Sequence, residues 1–155
     1  MKFTLSWLRD HLDFNYGNDD LNIITQNLTS LGLEVENFSD ARKKLRGFKV
    51  GCIKSFSKHR NADKLSVCLV DVGNEVVEVI CGANNLKLGM KVVFAPSGIV
   101  IPENNQKLKK TKIRGVLSNG MLCSERELCI SDEHDGIIEL NKDSIVGKEA
   151  ALFLE

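Results

Sequence analysis

Aromatic side chains are scarce in this chain of 155 residues: beyond residue 40 there are Phe48, Phe56, Phe94 and Phe153. A surface that stacks successive bases needs a row of flat side chains, so a platform of that type is not evident. No run of apolar residues approaches the roughly 18–20 that span a bilayer. The opening Met1-Lys2-Phe3-Thr4-Leu5 soon meets Arg9, Asp10 and His11, which leaves no apolar stretch of the secretory kind. The expectation is a cytoplasmic protein with no membrane partner. The five cysteines (52, 68, 81, 123, 129) include no Cys-x-x-Cys pair. Cys123 and Cys129, the closest two, have only His134 near them, so buried reduced thiols are expected rather than a zinc framework.

Catalytic constellations are missing as well. Ser118 and Ser124 lie in no nucleophile-elbow pattern, and His11, His59 and His134 are scattered singles. Residues Gly82 to Gly89 form neither a Walker loop nor a dinucleotide fingerprint. The tract Asp132-Glu133-His134-Asp135 reads as a solvated loop with a turn at Asp135-Gly136. No catalytic residue and no metal site are expected.

What is present is segregated charge. The net charge is zero, yet residues 1–40 carry −5, residues 41–118 carry +11 and residues 119–155 carry −6. Segregation of this kind produces a local potential that steers a charged partner; a solvated face is the other reading of a charge run. The stretch Lys107 to Glu125 concentrates the effect, with Lys107, Lys109, Lys110, Lys112 and Arg114 and no acid before Glu125.

Periodicity divides the chain. Ser6 is placed to cap a short helix through Leu12, and Asn18 or Asp19 a second in which Leu21, Ile24, Leu28 and Leu31 share a face, stopped by Gly32. Leu33 to Glu36 alternates like a half-buried strand. Asp40 to Gly47 is a polar connection. From Phe48 the period becomes two, giving strands at 48–56, 65–72, 76–81, 91–95, 108–113 and 136–140. A turn-rich loop spans 59–64, Gly73-Asn74 is a hairpin signal, and Ser124 to Glu127 is a capping box. Strands this short, with turn signals between them, predict a five-stranded barrel of the oligonucleotide-binding (OB) type. The predicted class is mainly β within α+β: a small N-terminal segment (1–40), the OB barrel (41–147), and the start of a helical return segment (148–155). The apolar face of residues 150–154 docks on the first forty residues, or the chain is the front of something longer, or both. An OB barrel offers a sheet face and loops to nucleic acid, where Lys64 beside Asn61, the cations Lys109, Lys110, Lys112 and Arg114, and Met121 can converge.

The segments HRNADKLSVCLVDVG (59–73), ICGANN (80–85), KLKKTKIRGVLSNGMLCSERELCIS (107–131) and HDGIIEL (134–140) closely resemble the tRNA-binding OB domain shared by several aminoacyl-tRNA synthetases and free tRNA-binding proteins. The opening FTLSWLRDHLD (3–13), the helix ending TSLGLEVE (29–36) and the order of parts resemble the family of bacterial phenylalanine–tRNA ligase beta subunits. That resemblance implies tRNA contact at Asn61, Lys64, Arg114, Ser118 and Met121. It implies a much longer beta chain paired with a catalytic alpha subunit, where ATP and Mg2+ are used to charge tRNA-Phe, in an alpha-2-beta-2 assembly. It also implies that the barrel is inserted into a small domain formed by residues 1–40 and the segment after the barrel. Two positions depart from the family pattern: Arg60 and Asn84 stand where proline is usual. The alternative is a free-standing tRNA-binding or chaperone-like module with no enzyme attached.

Overall fold

The computed structural model describes residues 2–12 and 21–154 and divides into two compact units, 1–39 and 40–155. In the first unit, helix α1 is Leu5–His11 and helix α2 is Leu21–Ser30. The cap of α1 is Thr4 rather than Ser6: Thr4 has extended backbone, and its hydroxyl accepts the Trp7 N–H at 3.2 Å. The expected caps at Asn18 and Asp19 lie outside the described residues. Gly32, at φ +86°, ends α2 as expected, with Leu33 N–H donating to Leu28 O at 2.9 Å, the hydrogen bond of a Schellman stop. Residues 33–36 form no strand; Leu33 is exposed and Val35 half-buried. Alternation alone makes no strand where no neighbouring ladder is paired with it.

The second unit opens with the short helix α3, Ala41–Lys44, where a polar connection was expected; Asp40 Oδ1 accepts Arg42 N–H, and Leu45 is buried. The strands follow as β1 Lys49–His59, β2 Ala62–Asp71, β3 Val76–Cys81, β4 Lys91–Pro96, β5 Val100–Ile101, β6 Gln106–Lys107, β7 Thr111–Ile113, β8 Val116–Ser118, β9 Gly120–Leu122 and β10 Glu139–Leu140. The register of β1 is irregular between Ile53 and Ser55. A bend of this kind lets one strand pair with β4 over residues 49–52 and with β2 over 52–59.

The antiparallel path runs β3, β2, β1, β4, β9, with β10 also on β4. The gap between β9 and β3 is bridged by hydrogen bonds at the β8–β9 junction: Asn119 N–H donates to Glu78 O at 2.9 Å, and Ile80 N–H to Ser118 Oγ at 3.1 Å. Five strands thus surround a core of Ile53, Cys68, Val70, Val79, Val92, Phe94 and Leu122. This is the mainly β, OB-like architecture the sequence predicts.

A second apolar cluster lies on the other face of β4. Val93 and Ala95 meet Leu45, Phe48, Val50, Ile101, Cys123, Leu128 and Leu140 there. Because β4 is buried on both faces, its sequence Val92-Val93-Phe94-Ala95 is a continuous apolar run and not an alternating one. Ala150 and Ala151 complete this cluster from a 3-10 turn, Ala150–Leu152, where a helix start was expected. Ala150 N–H donates to Phe48 O and Val50 N–H to Lys148 O, both at 2.8 Å, so the last segment is stitched to the start of β1.

Candidate nucleic-acid interface

Two hairpin turns build the site. The pairing His59↔Ala62 leaves Arg60-Asn61 as a two-residue turn between β1 and β2, tighter than the loop expected at 59–64. Arg60, at one of the two departures from the proline pattern, is exposed at this turn. The pairing Ile113↔Val116 leaves Arg114-Gly115 as a second two-residue turn, between β7 and β8. Both of its central residues have positive φ, +47° for Arg114 and +91° for Gly115, as a type I′ turn requires. Glycine adopts that conformation freely. An arginine there is strained by about 1 kcal/mol or more.

The turns are fastened to each other. Arg114 Nη1 donates to Asn61 O at 2.7 Å. His59, only 4% exposed, bonds Ile113 O through Nε2 and Asn61 N–H through Nδ1, both at 3.1 Å. In an OB barrel these connections, between the first and second and between the fourth and fifth strands, are the ones that clasp oligonucleotides.

Of the residues singled out from the sequence, Asn61 and Arg114 are therefore brought into contact, and Lys64 follows three residues later, exposed on β2. Lys112 is exposed on β7, paired with Leu117 of β8. Lys109 and Lys110 are exposed on the connection between β6 and β7. The single strand expected over 108–113 is in fact divided. Leu108 N–H donates to Ile99 O and Leu108 O accepts Gly98 N–H, each at 2.7 Å, while 111–113 folds back on 116–118. Met121 is half-buried on β9 against the outer cluster. Ser118 is 5% exposed, and its hydroxyl donates to Gly120 O at 2.9 Å while accepting Ile80 N–H, so it fastens the barrel.

Electrostatics favour an anion along this edge. Lys54 pairs with Asp71, Lys87 with Glu139 and Arg126 with Glu103. Among the described residues, Arg60, Lys64, Lys107, Lys109, Lys110, Lys112 and Arg114 form no ion pair with a carboxylate. Of the four later phenylalanines, Phe48 and Phe94 are buried and Phe153 half-buried, leaving Phe56 exposed. The surface is thus suited to phosphates more than to stacked bases. Sequence reasoning missed His59 and the carbonyls of Asn61 and Ile113 as the joint; a histidine directly before a turn was the available signal.

Elsewhere the capping box expected at Ser124 forms only in part: Glu127 Oε2 accepts the Ser124 N–H, at 2.5 Å, but the Ser124 hydroxyl donates to the same oxygen instead of accepting a backbone N–H, and residues 125–129 are turn rather than helix. Four cysteines are buried and Cys129 is exposed. Burial pushes the Cys68 thiol up to about 12 and raises Cys81 and Cys123 as well. Among the described residues, no helix is long and apolar enough to cross a membrane, and no cluster of three or more His, Cys, Asp or Glu is placed to hold a metal ion.

A clasped OB barrel with a free basic edge defines a nucleic-acid-binding module, and residues 48–149 match the family described as a putative tRNA binding domain. The chain belongs to that family. It is similar to the phenylalanine–tRNA ligase beta subunit of Rhodospirillum rubrum, at 47% identity over 147 residues, which are 95% of this chain and 18% of that protein. It is 50% identical over 149 residues to the beta subunit of the same ligase in Rhodopseudomonas palustris, with the same shares covered. The chain thus spans 18% of the length of these curated relatives. Among solved structures, a MetRS related protein from Pyrococcus horikoshii aligns at 28% identity and a TM-score of 0.49, over 72% of this chain and 95% of that one.

Proposed function

We propose that this chain is the leading part of a cytoplasmic phenylalanine–tRNA ligase beta subunit and that its barrel grips tRNA by the clasped basic edge. The observation that carries the tRNA reading is the joint itself. Arg114 is held against Asn61 in a strained turn, with Arg60, Lys64 and Lys112 exposed nearby and unpaired with carboxylates. Such cations neutralise phosphates and release counterions, which supplies affinity without sequence reading. With one exposed phenylalanine beyond residue 40, recognition rests on phosphates and shape, as is common for folded RNA.

In this reading the chemistry lies in a partner, the catalytic alpha subunit of an alpha-2-beta-2 assembly that charges tRNA-Phe. No chemical step is assigned to the described residues.

The test is a fluorescence titration of this chain with tRNA. Removing two edge cations, Lys109→Ala with Lys112→Ala, should weaken binding several-fold, whereas Lys142→Ala with Lys148→Ala, the same change in net charge elsewhere, should not. Equal effects from the two pairs would contradict the assignment of the edge. For the ligase, the gene should run on for some hundreds of codons after Glu155; a stop codon there favours the free-standing module.

A further inference from the structure

We infer that His59 is the positioning residue of this edge, clamping the Arg114-Gly115 turn to the Arg60-Asn61 turn so that their cations meet an RNA backbone as one prearranged set. The inference rests on the tRNA-binding reading above and adds to it a residue that carries none of the charge.

The partners of His59 fix its chemical state. Ile113 O can only accept, so Nε2 must carry a proton; Asn61 N–H can only donate, so Nδ1 must be bare. The ring is therefore the neutral Nε2–H tautomer, with both nitrogens engaged. One of these bonds spans 54 positions in the sequence and the other is local, so the single ring ties the tip of one hairpin to the tip of another. Arg114 makes the return bond, from a left-handed backbone that its side chain does not favour. Strain of this kind persists only where surrounding contacts hold it. Without the ring, the Arg114 side chain would be the remaining tie of this joint, and the cost of aligning two mobile turns would fall on the binding step.

The test uses His59→Phe, which keeps a ring of similar bulk, removes both nitrogens and leaves the cations of the edge unchanged. Wild type and variant are titrated with tRNA across a salt series, at a temperature where circular dichroism shows both folded. The expected result is about tenfold weaker binding with the salt slope lower by about one, although no cation has been removed. A variant that melts earlier but, while folded, keeps the wild-type affinity and slope would overturn the inference, because His59 would then be structural only. If His59→Phe does not fold, the wild-type imidazole decides: long-range proton–nitrogen spectra should show Nε2 protonated and Nδ1 bare, and the opposite tautomer or a doubly protonated ring would overturn the clamp. Wild-type chain that binds no tRNA at low salt would instead sink the tRNA-binding reading, with the clamp still decided by that spectrum.

Discussion

At Gly120 a methyl group would stand 2.4 Å from Phe94 Cε2 and 2.6 Å from Ala95 O, closer than any side chain tolerates. The sequence Ser118-Asn119-Gly120 reads as a turn because asparagine and glycine accept left-handed backbone. Gly120 is needed here for a different reason, the pressure of the Phe94 ring from the neighbouring strand β4, and local turn chemistry cannot reveal a contact made by a residue far along the chain. Gly120→Ala should destabilise the fold by about 1–3 kcal/mol through overpacking, read as a lower urea midpoint. The thiols give a second residue-scale prediction. Burial raises Cys68 from its ordinary 9.0 to about 12 and lifts Cys81 and Cys123 in the same direction. Above pH 9.0 the unfolded chain loses these protons while the folded chain keeps them, so their contribution is complete below that pH and is lost as pH rises towards about 12. Urea unfolding should weaken across this window by at most about 1.4 kcal/mol per pH unit for each thiol, and Cys68→Ala should flatten the decline.

Among the elements, the β7–β8 hairpin departs furthest from what its sequence suggests. Residues 108–113 interleave apolar and basic side chains as one strand does, yet Leu108 is committed through both backbone groups to Gly98 and Ile99, and a separate hairpin begins at Thr111. Which backbone partner each residue finds is a tertiary outcome that periodicity does not encode. Arg114-Gly115 is a weaker hairpin signal than Asn-Gly, because arginine resists positive φ. That misfit is itself informative, since strain tends to collect at functional sites. Arg114→Asn should keep the turn, raise stability by a few tenths of a kcal/mol or leave it unchanged, and lower the salt slope of tRNA binding by about one; thermal melts and titrations separate the two effects. The main strands, by contrast, were legible: the change to period two at Phe48 and the hairpin at Gly73-Asn74 follow from local pattern, whereas β4, expected among the alternating strands, is an apolar run buried on both faces. The N-cap of α1 was displaced by two residues, from Ser6 to Thr4, because two neighbouring hydroxyl residues can each serve and backbone geometry chooses between them.

For the whole molecule, the governing quantity is where the charge sits. The chain is neutral, but residues 41–118 carry +11 and the flanks carry −5 and −6. The fold puts Arg60 and Arg114 at two joined hairpin turns, with Lys64 and Lys112 exposed on the strands beside them, and among the described residues none of the four forms an ion pair with a carboxylate. That the charge was segregated could be read directly from the sequence. That it converged on a clasped edge could not, because Asn61 and Arg114 meet only once the barrel has closed. The most direct test of this account is the slope of log affinity against log salt for tRNA binding to this chain. The account predicts weak binding with a steep slope set by several phosphates, falling by roughly one to two when Lys109→Ala and Lys112→Ala are combined and unchanged when Lys142→Ala and Lys148→Ala are combined. Absence of binding at low salt, or a slope indifferent to which pair is removed, would contradict it.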